Sequence, residues 1–120
     1  MDLLLRKQGY SNFLIEVGGE LVGRGVNGRG QKWTVGIEKP SYAFESTSVQ
    51  EPLALNDKAV ATSGDYRNFF VDDNGKRYSH IINPKTGYPV THQAASVTVV
   101  AKSAMEADAW ATASSCCRRM

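Results

Sequence analysis

Most apolar positions of this chain fall in short alternating runs bounded by Gly, Asn or Pro, the signature of strands joined by tight turns. In KWTVGIE, Trp33, Val35 and Ile37 occupy one face of an extended segment and Lys32, Thr34 and Gly36 the other. NFLIEVGGELVGRGV predicts two strands, Asn12 to Val17 and Glu20 to Val26, with Gly18 and Gly19 as the tight turn between them. NGRGQ marks a second turn. From Pro40 to Gln50 the chain is polar and Ser-rich, as expected of a loop, and strands resume at Leu53 with LALND, AVATS and FFVDD. DDNGK then predicts a hairpin turn centred on Asn74-Gly75. The strand that follows, Lys76 to Ile82, sets Tyr78, His80 and Ile82 on one face and is ended by Pro84. ASVTVVA, Ala95 to Ala101, is the most β-branched segment and the longest strand signal.

Two segments depart from this pattern. Leu3 to Leu5 reads as helix, with Gly9 where a left-handed C-terminal cap is expected. In SAMEADAWATA, Ser103 and Glu106 form a capping box for a helix from Ala104 to about Ala113. No repeat or linker divides the chain, so the fold class is α+β in one domain, an antiparallel sheet with flanking helices.

Composition narrows the function classes. Hydrophobic residues are 42 % and charged residues 22 % of the 120, as in an ordinary globular domain. The fourteen basic residues are interspersed among twelve acidic ones, which leaves no basic stripe to track a phosphate backbone and argues against nucleic-acid binding. No apolar stretch approaches the ~20 residues of a transmembrane helix. Cys116 and Cys117 are adjacent, where a disulfide would be strained and would staple no loop, and no neighbouring Cys or His completes a metal set around them.

Few residues carry candidate chemistry. Gly23, Gly25 and Gly28 match a G-x-G-x-x-G spacing, but the segment after them is strand-like rather than the helix a dinucleotide site needs; a hairpin role fits better. Asp108 and Thr112, four apart on the capped helix, share a face. Two oxygen donors one turn apart suit a hard cation that keeps other positions for water or phosphate oxygens, although a solvated Asp near a helix start has the same spacing. His80 is the available general base, with a structural role at the turn as the alternative. His92 has no partner at a characteristic spacing and reads as structural. Ser63-Gly64-Asp65 could turn backbone N–H groups toward an anion or form a plain turn.

Taken in order, VGGELVGRG, KWTVGIE, AVATSGDYRNFF, YSHIINPKTGYPV and SAMEADAWATA resemble the C-terminal half of the ApbE family of flavin transferases, over residues 1 to about 113. The resemblance implies the C-terminal half of a T-fold-like domain. It also implies magnesium-dependent transfer of an FMN moiety from FAD to a Ser or Thr hydroxyl of an acceptor protein, with release of AMP. Within it, His80 matches the family's base, Asp108 and Thr112 match two metal ligands, and Ser63, Gly64 and Ile82 lie in motifs that neighbour the flavin. The family's third metal contact, a backbone carbonyl in a Gly-Ile-Ala-Lys-Gly-like segment, and the N-terminal half that supplies most flavin contacts have no counterpart in these 120 residues. The tail from 114 to 120, SSCCRRM, departs from the apolar continuation usual in the family. The resemblance therefore implies a C-terminal fragment that is inactive alone, from a family often placed outside the cytoplasm or at a membrane. Two other functions fit the same residues: an FAD pyrophosphatase that releases FMN and AMP, and a non-catalytic β-rich flavin-binding or interaction module.

Overall fold

The computed structural model describes residues 1–39, 49–64, 69–91 and 95–116; Asp65, His92, Cys117 and most of the Ser-rich loop lie outside them. Helix α1 (Asp2–Lys7) ends as its sequence predicts. Gly9 takes φ +88°, and the N–H groups of Gly9 and Tyr10 return to the carbonyls of Arg6 and Leu5 at 3.0 and 3.1 Å, a Schellman closure. Strands β1 (Phe13–Val17) and β2 (Glu20–Arg24) form a hairpin whose two central residues, Gly18 and Gly19, both have positive φ, the turn that matches strand twist. Asp2 ties α1 to this hairpin, its carboxylate paired with Arg6 at 2.9 Å and with Arg24 at 2.7 Å.

Strands β3 (Trp33–Glu38) and β4 (Val49–Leu55) pair as a separate antiparallel ribbon. β4 begins four residues before the strand predicted at Leu53. Pairing with β3 supplies what the local pattern lacks, and a two-stranded ribbon gives Pro52 an edge position, where its missing N–H costs least. The ribbon rests on β2 at Gly23, where a Cβ would come within 2.9 Å of the Leu55 side chain and 3.3 Å of Trp33. Of the G-x-G-x-x-G glycines, Gly23 thus permits close packing and Gly25 a positive φ, and a strand rather than a helix follows them.

Strand β5 (Ala59–Gly64) joins the main sheet beside β2, and strand β8 (Ser96–Ala101) pairs with β5, giving the antiparallel order β1-β2-β5-β8. Helix α2 (Ala104–Cys116) returns across one face. The core lies between them: Val22, Ala59 and Ala61 from the sheet meet Ala107 and Ala111 from the helix, flanked by Ile15, Val99, Ala101 and Ala104. On the opposite face Leu21, Val60 and Thr62 line a cleft together with Val35, Gly36 and Ile37 of the β3–β4 ribbon. A third antiparallel ribbon, β6 (Phe69–Val71) with β7 (Arg77–Ser79), closes around Asp72. Its turn is centred one residue earlier than predicted, with Gly75 in the left-handed region at φ +77° and Asp72 N–H bonded to the Lys76 carbonyl. Asp72's carboxylate accepts from the Lys76 and Asn74 N–H groups and the Tyr78 hydroxyl, and the Lys76 N–H chiefly holds it below the usual carboxylate range. Among the described residues no helix is long and apolar enough to cross a membrane.

Candidate functional site

The site grows from the start of α2. Ser103 caps the helix, its Oγ accepting the Glu106 N–H at 3.2 Å, as the capping box predicts. From there Ala107, Ala111 and Ser115 recur every four residues and are buried against the sheet. The helix continues three residues beyond Ala113 into the polar tail because Ser115, 2 % exposed, donates its hydroxyl to the Ala111 carbonyl at 2.9 Å and so meets no desolvation penalty.

One residue further around the helix runs a second row, Asp108, Thr112 and Cys116. Asp108 and Thr112 are exposed at the margin of the helix–sheet contact. On the sheet side, Ala59, Ala61 and Ser63 alternate along β5 and face the helix. The first two are alanines, so helix and strand approach closely. At the third position the Ser63 and Thr112 hydroxyl oxygens lie 3.2 Å apart. Helix α2 and strand β5 thus bring two hydroxyls together one helical turn from Asp108.

The chain around His80 runs differently from what its sequence pattern predicts. β7 stops at Ser79, so Tyr78, His80 and Ile82 do not continue along one strand face. The Ser79 hydroxyl accepts the Ile81 N–H at 3.1 Å, a local bond that competes with the ladder and bends the chain at His80. Beyond the bend, residues 81–90 close on themselves. Val90 N–H meets the Ile81 carbonyl at 2.9 Å, Asn83 N–H meets that of Tyr88 at 2.9 Å, and Ile82 bridges to Pro89. The Cys116 thiol points at the Ile82 carbonyl, 3.8 Å away, which ties the segment holding His80 to the helical turn after Thr112. His80 itself is exposed.

The three flavin-neighbour candidates separate. Ser63 faces the helix. Gly64 faces the other side of the sheet, where it borders a cleft of about 420 Å³ that Gly18, Gly19 and Gly36 also line. Ile82 is half exposed beside Cys116, next to a second cleft of about 340 Å³ formed by the 83–91 segment and the helix end.

The donor set fits a magnesium ion. Asp108 and Thr112 offer hard oxygens one helical turn apart, the donor type that magnesium takes, and no described cation pairs with Asp108; among the described residues no group of three His, Cys, Asp or Glu could hold a metal ion by itself. Two protein oxygens leave positions for water or phosphate.

Residues 1–119 match the ApbE family. The chain belongs to the ApbE family. It is 48 % identical over 109 residues to the FAD:protein FMN transferase of Klebsiella pneumoniae (strain 342), covering 91 % of this chain and 30 % of that protein. It is 51 % identical over 108 residues to that of Vibrio cholerae serotype O1, covering 90 % and 31 %. Among solved structures, the flavin transferase ApbE from Vibrio cholerae superposes with a TM-score of 0.76 at 46 % identity, over 92 % of this chain and 34 % of that one. The ApbE protein from Thermotoga maritima gives 0.79 at 36 %, over 96 % and 35 %. The chain spans about a third of the length of these ApbE relatives. Two contacts of the candidate site escaped the sequence, the Ser63–Thr112 pair and the Cys116–Ile82 link. The only hint of the second was the spacing of Cys116, four residues beyond Thr112.

Proposed function

We propose that this chain supplies the general base and the cation-holding helix for transfer of an FMN moiety from FAD to a Ser or Thr hydroxyl of an acceptor protein. The observation that supports the proposal is the approach of the Ser63 and Thr112 hydroxyls, one helical turn from Asp108, with the Ile82 carbonyl meeting the Cys116 thiol at the end of the same helix. The names of the relatives support the reaction class.

In the proposed step the acceptor oxygen attacks the FMN phosphorus of the FAD pyrophosphate. A new P–O bond forms, the bridging P–O bond breaks, and its electron pair leaves on the phosphate of AMP. His80 takes the proton of the attacking hydroxyl. Asp108 and Thr112 would hold Mg²⁺, which when bound offsets charge on the phosphoryl oxygens. Gly64 is the flavin neighbour in this reading, and Ile82 lies apart from it, beside Cys116. A glycine at the border of the larger cleft lets a flat ring approach the backbone.

Because the chain spans about a third of its relatives, the 120 residues alone are expected to transfer nothing, and the test uses a chimera. In it this chain replaces the matching third of the Vibrio cholerae FMN transferase. Incubated with FAD, Mg²⁺ and an acceptor peptide, the chimera should add one FMN, less one water, to the peptide and release AMP. Free FMN with AMP and an unmodified peptide would instead mark a pyrophosphatase. No turnover, with flavin binding indifferent to EDTA, would mark a non-catalytic module.

A further inference from the structure

We propose that Ser63 is a positioning residue for the cation site: its Oγ accepts the Thr112 hydroxyl proton and thereby turns a Thr112 oxygen lone pair outward, to the side of Asp108. The inference rests on reading Asp108 and Thr112 as cation ligands, and it gives Ser63 a different task from contact with flavin.

A hydroxyl has one proton to donate and two lone pairs to offer. A threonine that binds a cation through oxygen must send its proton elsewhere, and within a helix the ready acceptor is the carbonyl four residues back. For Thr112 that is the carbonyl of Asp108, and a bond to it would turn the hydroxyl back along its own helix. Ser63 offers a competing acceptor at 3.2 Å, from outside the helix. Its position is rigidly set. Ser63 pairs with Val97, one pair from the end of the β5–β8 ladder, and it follows Ala59 and Ala61 in the row that packs on α2. The alanines on both sides determine the helix–strand spacing, and that spacing brings the two oxygens together. Partners of this kind fix the orientation of a ligand, and their loss lowers metal affinity by roughly ten- to a hundredfold.

The test measures Mn²⁺ binding by electron paramagnetic resonance to the Vibrio cholerae chimera that carries this chain, with far-UV circular dichroism to verify that each variant is folded. Ser63→Ala should weaken Mn²⁺ binding about tenfold, and Ser63→Thr, which keeps the hydroxyl, should restore most of it. In a Thr112→Ala background, Ser63→Ala should have no further effect, because the proton it receives is gone. An equal loss in both backgrounds would show that Ser63 acts only through packing and would overturn the proposal. If Asp108→Ala and Thr112→Ala weaken binding while Ser63→Ala does not, this inference fails and the cation site stands. If Asp108→Ala and Thr112→Ala bind as the unaltered chain does, the cation reading fails and takes this inference with it.

Discussion

Replacing Ala111 with Leu probes the contact on which the whole site depends. Ala111 is fully buried, and it faces Ala59 and Ala61, which are 0 % and 1 % exposed. Three added heavy atoms have no space to enter, so α2 must move off the sheet or distort. Overpacking of this kind costs about 1–3 kcal/mol. At about 4 °C per kcal/mol, Tm should fall by roughly 4–12 °C. Ala111→Gly gives a calibrated contrast. It loses one buried methyl, about 0.8 kcal/mol, and about 1 kcal/mol of helix propensity, so its Tm should fall by roughly 7 °C. The two variants then overlap in stability and differ in the site. Leu pushes Thr112 away from Ser63 and should lower Mn²⁺ affinity, whereas Gly keeps the spacing. Ala113→Leu makes the same chemical change on the exposed side of α2 and should stay within about 0.5 kcal/mol of the unaltered chain. Thermal melts followed by far-UV circular dichroism, paired with Mn²⁺ titrations, read all three. An Ala111→Leu variant as benign as Ala113→Leu would refute the close alanine contact.

Acid should uncouple α1 from the sheet. The Asp2 carboxyl is held well below the usual carboxylate range, chiefly by hydrogen bonds from Arg6 and then from Arg24. Its contribution is therefore present above the ordinary carboxylate pKa near 3.9 and is lost as pH falls from there toward the depressed folded value. Asp2→Asn should lower the urea midpoint at neutral pH by about 1 kcal/mol equivalent and much less in strong acid; an equal effect at both would contradict the linkage. Gly25→Ala combines a positive φ of 62° with a Cβ placed 2.6 Å from the Ser11 carbonyl and against Asn12 Oδ1, which accepts the Val26 N–H. Left-handed strain and one lost hydrogen bond together predict about 2–3 kcal/mol by urea unfolding. Gly28→Ala meets no atom within 4 Å and should cost far less.

Local chemistry made much of the fold legible. The Gly18-Gly19 turn, the Gly9 cap and the Ser103 cap each depend on residues a few positions apart, and each lies where the pattern puts it. Where the pattern and the structure differ, a partner outside the local window decides. β4 extends back to Val49 because β3 pairs with it, and α2 runs on to Cys116 because Ser115 satisfies its hydroxyl inside the helix. His80 leaves the strand because the neighbouring Ser79 side chain takes the Ile81 N–H, a choice that alternation of apolar residues does not encode. In the site, Asp108 and Thr112 were visible as a helical pair. Ser63 is 49 residues from Thr112, and only the packing of α2 on β5 brings their hydroxyls together. The strand order β1-β2-β5-β8 is equally a product of tertiary pairing.

In the proposed reaction His80 takes the acceptor proton while Asp108 and Thr112 hold the cation. The most direct measurement is the rate of FMN transfer to an acceptor peptide, followed by mass, in the Vibrio cholerae chimera carrying His80→Ala. With the base removed, the rate should fall by about 10²- to 10⁴-fold while FAD affinity is unchanged; transfer at the unaltered rate would rule out His80 as the base.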